Sequence, residues 1–460
     1  MRKDRIAGLH KFNAEQGDIG RFAVVFGDVV IVNEPELLHE ILVTKAKSFE
    51  KSPILRTSLY PLAGDGLFTS EGELWKKQRR LMAPMFQPAG LRHFADDMVR
   101  CTDRAASTWR DGDTVEIARE TTRITMVIAG KNLFDEDTFS ESDALGGALT
   151  TALEWAGTES SNPALIAQAR AQIGLELIAD RVPAMLAGSL RKLADRLRAP
   201  ILWPGARSRA LKDAVAVLDA RVARMIADRR KDTATHRDLL SLLLDARDDD
   251  GAAMSDRQVR DEVLTLFVAG HETTATALAW AVMLLCQNPE AYARVRAEVD
   301  AIGRLPTMDD LGRLSYCLRV FKESMRLYPP VYLFGRVTIT PVDIGDFHFR
   351  KGTVVLVSPY ALHRREKLWP EPERFDPDRF LPEAEARRHK SAFIPFSAGP
   401  RTCIGNHFAL MEGPLVLATL FHHADFELID PNGTEPDPQA TLRPKTGIPA
   451  RITRRRPSAS

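Results

Sequence analysis

The chain has 460 residues, 44% of them hydrophobic and 27% charged, which is ordinary for a soluble protein with a sizeable core. Its 63 Lys and Arg nearly balance 62 Asp and Glu, and a formal net charge of +1 argues against a nucleic-acid binder, which carries a clear basic excess; any charged partner must be met by a local patch. Length alone suggests two or three domains, but no internal repeat or Pro/Ser-rich linker splits the chain, so residues 1–460 are expected to form one domain, with 1–20 a short lead-in and 454–460 a disordered tail.

Four cysteines, Cys101, Cys286, Cys317 and Cys403, are too few and too scattered for a disulfide framework, and none has CxxC spacing for zinc. That usage fits a reducing cytoplasm. The N-terminal stretch has basic residues but no apolar run, and so reads as neither a signal peptide nor a membrane anchor.

Residues 21–32 hold two β-branched segments around Gly27-Asp28, a hairpin pattern, and Pro35 opens a helix. Residues 51–73 are rich in Pro, Gly and Ser without a clear period, which predicts loop with at most a short helix. Residues 74–83 are helical in composition and place Trp75 and Arg79 on one face. On most helices such a pair is packing. Residues 91–250 read as mostly helical, with breaks at 161–163, 198–200 and the acidic 248–251, and without a motif that carries chemistry.

Ser255-Asp256-Arg257-Gln258 is a capping box that opens a helix of about 45 Å, stopped by Asn288-Pro289. Its apolar half, Ala275 to Cys286, is too short and too near charges to span a membrane. At its centre Ala269-Gly270-His271-Glu272-Thr273-Thr274 places polar residues where periodicity demands burial, a conflict that points to function. A polar stripe beside a water-filled gap fits the same residues. His271, about 100° round the helix from Glu272, reads as structural or solvent-facing.

The helix that follows carries Glu323 and Arg326 at i,i+3 among Leu318, Phe321 and Met325, so this ion pair is expected to be buried. Tyr328-Pro329-Pro330 ends that helix, and residues 337–340 and 353–357 read as strands. Arg336 is by itself an ordinary strand-edge arginine. Residues 372–380 hold two further arginines, Arg374 and Arg379.

Phe396 to Gly405 set Cys403 in a glycine-bounded loop before a helix. Gly399 and Gly405 allow a tight turn that aims amide hydrogens at the sulfur; a helix N-terminus and Arg401 add positive potential, so a lowered thiol pKa is expected. An arbitrary intracellular cysteine is usually a small buried hydrophobe. Here Phe396, Gly399, Arg401 and Gly405 stand at minus seven, minus four, minus two and plus two from Cys403.

Those four positions resemble the heme-binding loop of the cytochrome P450 family, and four other stretches fit the family in order. The resemblance implies a mainly α fold with small β-sheets, and one heme b (iron protoporphyrin IX) with Cys403 as its metal ligand. It assigns Trp75, Arg79 and Arg336 to the heme propionates and Phe396, Gly399, Arg401 and Gly405 to the heme loop. Ala269 and Gly270 become the small residues of the oxygen groove, Thr273 the proton-delivering alcohol and Glu272 the acid feeding it. Glu323, Arg326 and Arg379 become a structural triad with Arg374 as a decoy; Leu333, Phe334 and Ile448 face the substrate. The implied activity is a monooxygenase reaction, hydroxylation or epoxidation of a small apolar substrate. No flavin or nicotinamide domain follows residue 420, so electrons are expected from a ferredoxin or flavodoxin-type donor with its reductase. Basic residues Lys76, Lys77, Arg80, Arg387, Arg388 and Lys390 are candidate donor contacts. Two other readings stay open: a P450-like enzyme that uses or rearranges peroxides, and a non-catalytic heme-thiolate binding or sensor protein.

Overall fold

The computed structural model describes residues 5–24, 27–136, 141–232, 238–247, 251 and 253–455. Its organising element is the helix Asp256–Gln287, whose 32 residues extend about 48 Å. The Ser255 hydroxyl accepts the Gln258 N–H at 3.2 Å, the serine half of the expected capping box. Asn288 and Pro289 end it, but Asn288 turns its amide back to the Leu284 carbonyl at 2.7 Å rather than capping the next helix.

Apolar residues on several sides of this long helix let it pack at once against Ile117–Phe134, Ser315–Leu327 and Asn406–His423. Trp280 fixes its C-terminal half: fully buried, it stacks on Tyr328 at 4.0 Å and donates its indole N–H to the Leu442 carbonyl at 2.8 Å.

A five-stranded sheet lies apart from this helical core. Its strands are β1 (Ile19–Val24), β2 (Gly27–Val32), β3 (Phe49–Lys51), β4 (Phe334–Thr338) and β5 (Val354–Val357), in the order β1-β2-β5-β4-β3. Val24 pairs with Gly27, so Gly27 and Asp28 begin β2, while residues 25–26 lie outside the described residues. The parallel β2–β5 pair joins chain regions more than 300 residues apart.

Three expectations change. Residues 53–63 form a full helix with Pro53 in its first turn; its buried face includes Thr57 and Ser58, which hid the apolar period. The loop after it is fixed by the long helix, since Asp261 accepts the Asp65 N–H and Glu262 the Leu67 N–H, both at 2.9 Å. The lead-in contains the helix Arg5–Gln16, and Arg5 reaches the Tyr332 hydroxyl at 2.9 Å. The tail is fixed further than expected: Arg454 ends a strand and Arg455 bonds the His423 carbonyl, while 456–460 lie outside the described residues, as do 248–250 of the acidic break.

Candidate active site

The cysteine loop closes on itself when the Cys403 N–H donates to the Phe396 carbonyl at 2.9 Å. Gly399 is required there: its φ is +67°, and a Cβ would lie 1.9 Å from the Leu42 carbonyl oxygen. Gly405 differs from expectation. Its φ is −88° and nothing of the chain lies within 4 Å of a built Cβ, so neither backbone nor packing demands glycine. Ser397 takes the left-handed conformation, φ 60°, and its hydroxyl receives Arg336 at 3.3 Å.

Cys403 is an exposed residue, yet the surrounding protein desolvates its thiol and pushes the pKa up; the Gly405 N–H and Arg79 oppose that shift without overcoming it. A residue both exposed and desolvated borders an interior space rather than bulk water. The expected lowered pKa is therefore corrected, because desolvation outweighs the helix terminus and the arginine. A cation bonded to the sulfur would reverse the balance.

Beside the loop stands an excess of cations. Arg401 lays its guanidinium 3.5 Å over the Trp75 ring and pairs with Glu71, while its Nη1 is buried without a partner. Arg336, 7% exposed, donates among the described residues only to its neighbour's carbonyl and to Ser397, and burial pulls its pKa down to about 10. Burial likewise lowers Arg79, with the Cys403 sulfur acting the other way. Lys51 on β3 stands directly opposite Arg336 on β4, an arrangement that costs energy unless an anion lies nearby. Glu71 is one such anion: it accepts the Lys51 N–H at 2.8 Å and lies 4.0 Å from its ammonium. Burial brings the Lys51 pKa down to about 7. Spare guanidinium donors, with one orphaned, fit a ligand carrying carboxylates. Sequence reasoning missed Lys51 and Glu71.

In the long helix Asp261–Val268 and Thr274–Leu285 are buried, whereas Ala269 is exposed and Gly270 and Thr273 half-buried. This is a gap in an otherwise covered element. Gly270 turns its missing side chain to the neighbouring helix, where a Cβ would meet Ala129 at 3.7 Å and Leu133 at 3.9 Å, ordinary contacts. Ala269 and Thr273, not Gly270, make the opening. The Thr273 hydroxyl donates to the Ala269 carbonyl at 2.7 Å, leaving its lone pairs free to accept. His271 is structural and not solvent-facing: fully buried, it bonds the Phe267 carbonyl through Nδ1 at 2.9 Å, and burial lowers its pKa.

Glu272 points away from Thr273. Its Oε1 accepts from the Thr441 hydroxyl and from Arg443 Nε, both at 2.6 Å, and Arg443 extends to the exposed Glu154 at 3.1 Å. Glu272 and Arg443 border a cleft of about 990 Å³, also lined by Glu116, Thr122, Thr150 and Thr276. The acid thus faces a polar cleft and the alcohol the gap, without contact between them. Thr441 and Arg443 lie about 170 residues beyond Glu272, and no local pattern announces them. Glu412, on the helix after the cysteine, was also missed. It is fully buried against Thr274, its oxygens lack a well-formed hydrogen bond, and burial raises its pKa to about 8.

The expected triad is assembled. Arg326 and Glu323 have no exposed side-chain surface, and Arg379 Nε lies 3.6 Å from Glu323. Arg374 makes an exposed pair with Glu371 and contributes only its carbonyl to Arg326. Leu333 and Phe334 are half-buried, as pocket residues are expected to be, but Ile448 is 1% exposed within the main core. Arg388 is not a free donor contact: it lies 4.1 Å over Trp369 and bonds the Arg379 carbonyl.

The family model for cytochrome P450 matches residues 2–450. Cyclooctatin synthase of Streptomyces melanosporofaciens is 33% identical over 93% of this chain and 86% of its own length. Pentalenene oxygenase of Streptomyces avermitilis is 30% identical over 96% of this chain and 91% of its own. Among solved structures, the heme domain of cytochrome P450DA superposes with a TM-score of 0.80 at 27% identity, covering 98% of this chain and 94% of that one. With the cysteine loop, the cation set and the long helix in place, the chain belongs to the cytochrome P450 family and is a heme-dependent monooxygenase.

Proposed function

We propose that the chain binds heme b through Cys403 and inserts one atom of dioxygen into a small apolar molecule, with electrons from a ferredoxin or flavodoxin and its reductase. The reading rests on one observation: an exposed residue, Cys403, with a desolvated thiol, beside buried arginines of which one, Arg401, has an orphaned guanidinium nitrogen. The sulfur and the gap at Ala269 and Thr273 become two walls of one slot, and Trp75, Arg79, Arg336 and Arg401 hold the carboxylates of its occupant. Bound through a thiolate, heme supplies oxygen activation biased toward O–O cleavage.

The chain supplies position and protons. Arg443 and Thr441 hold the Glu272 carboxylate at the polar cleft, where it takes protons from water; rotation of its side chain carries them toward the Thr273 hydroxyl, which accepts through its free lone pairs. Apolar Leu333 and Phe334 exclude water from the substrate side. Exposed Lys76, Arg80, Arg387 and Lys390 are the basic contacts for an acidic donor. None of the four cysteines forms a disulfide, which supports a cytoplasmic location.

The holoenzyme, supplied with ferredoxin, reductase and ¹⁸O₂, is expected to place one labelled atom in a product from a panel of fatty acids, terpenoids, steroids and macrolides. Pentalenene joins the panel because a relative is named for its oxygenation. Turnover with hydrogen peroxide alone, and none with donor and oxygen, would favour the peroxide-using alternative.

A further inference from the structure

Glu71 lies among Lys51, Arg336 and Arg401, its side chain 5% exposed. Its carbonyl accepts the Trp75 N–H at 3.3 Å where the helix Gly72–Met82 begins, so Glu71 and Trp75 stand one turn apart on the same side. Arg401 fits between them. Trp75 covers the face of the guanidinium, whose carbon is 3.5 Å from the ring centroid, and the Glu71 carboxylate takes Nη2 at its edge. With face and one edge occupied, Nη1 is left buried and without a partner.

The carboxylate is itself fixed. Its Oε1 accepts the Lys51 N–H of β3 at 2.8 Å, and the Lys51 ammonium, 4.0 Å away, is anchored on the Leu67 and Ser70 carbonyls at 2.9 and 2.7 Å. Glu71 therefore ties a strand, the start of a helix and the cysteine loop together. Glu50, the next acid along β3, is engaged elsewhere, 3.7 Å from Arg56.

Charge gives Glu71 a second effect. Arg79 faces Cys403 and Arg401, so four cations, Lys51, Arg79, Arg336 and Arg401, gather at this end of the slot. The two carboxylates of heme b and a Cys403 thiolate would balance three of them, and Glu71 balances the fourth. A fixed carboxylate near the iron favours the oxidation state with more positive charge, which is the ferric one.

The geometry points to Glu71 as a positioning residue for heme: it holds Arg401 flat on Trp75 so that Nη1 faces a heme carboxylate, and its charge biases the iron toward the ferric state. This rests on heme being held by Cys403 and the arginines, as proposed above.

Two measurements on the holoenzyme test it: the rate at which hemin passes to excess apomyoglobin, and the one-electron midpoint in a potentiometric titration. Glu71→Gln keeps the shape and an acceptor but removes the charge. It should release hemin at least about tenfold faster and raise the ferrous-to-ferric ratio at fixed potential by about tenfold, an upward shift of about 59 mV. Glu71→Asp keeps the charge but is one methylene short of Arg401, so hemin should leave faster while the midpoint stays at the wild-type value. Glu73→Gln removes the same charge from an exposed side chain two residues on, and should change neither quantity. A wild-type midpoint in Glu71→Gln, or an equal shift in Glu73→Gln, would overturn the charge effect; wild-type hemin release in Glu71→Asp would overturn the positioning, even if Glu71→Gln does not fold. Arg401→Gln separates this proposal from the one it rests on. Faster hemin release there, with wild-type behaviour in both Glu71 variants, removes only the role of Glu71, whereas unchanged release in Arg401→Gln removes the carboxylate contact itself and Glu71 with it.

Discussion

Arg326 donates all five of its N–H groups, two to the carboxylate of Glu323 and one each to the carbonyls of His363, Pro372 and Arg374. Neither side chain reaches solvent, so any lost bond leaves a buried polar group unpaired. Lysine keeps the charge but not the planar fork. Arg326→Lys is therefore expected to lose about 3–5 kcal/mol of stability and most of its heme. Denaturant unfolding of the apoprotein checks the first figure; wild-type stability would show that the network is dispensable.

Gly399 and Gly405 bound the same loop for different reasons. A methyl at Gly399 enters the Leu42 carbonyl and occupies a left-handed conformation, so Gly399→Ala should cost at least about 2 kcal/mol. Gly405→Ala should leave apoprotein stability unchanged, because its surroundings are open and its φ is ordinary. Equal melting temperatures for the two variants would refute this distinction.

Thr273→Ala removes the hydroxyl at the gap together with a local bond to Ala269, a loss of about 1 kcal/mol that leaves folding, heme content and substrate binding near wild type. Oxygen consumption should continue while product falls and hydrogen peroxide accumulates. Glu272→Gln should instead slow turnover, since the amide keeps the bonds' geometry but carries no titrating proton. The checking quantity is product formed per donor oxidised. Unchanged coupling in Thr273→Ala would leave that threonine as helix packing.

Glu412 sets a pH dependence of stability. Its folded pKa, raised to about 8 by burial, lies above the ordinary value of 4.5, so between these values the folded state binds more proton than the unfolded chain. The stabilising contribution is complete below about 4.5 and lost as pH rises through about 8. Glu412→Gln, which mimics the protonated acid, should match wild type near pH 5 and become the more stable protein by pH 8. The gap should open by on the order of 1 kcal/mol per pH unit. A stability difference independent of pH would mean that Glu412 is ionised in the folded protein throughout.

The sequence disclosed features whose chemistry needs particular residue types at short spacing. Cys403 with its loop, Trp75 with Arg79, and Glu323 with Arg326 are of that kind, and each lies within one element or one turn. Arg379 was separated from Arg374 only by the family pattern, and the structure agrees. What stayed hidden is assembled from distant segments: Lys51 meets Arg336 through strand pairing, Glu71 meets Arg401 through an ion pair, and Thr441 and Arg443 reach Glu272 across the fold. The helix at 53–63 escaped because Thr57 and Ser58 occupy its buried face. The Cys403 pKa was misjudged because desolvation depends on the whole surrounding structure, which no ten-residue motif contains.

The central claim is that Cys403 is the axial ligand, and the spectrum of the reduced holoenzyme under carbon monoxide tests it most directly. Wild type is expected to show the red-shifted Soret band of thiolate ligation, and Cys403→His to lose that band while still binding heme among Trp75, Arg79, Arg336 and Arg401. A Cys403→His protein that kept the thiolate band would contradict the account, because another sulfur would then hold the iron.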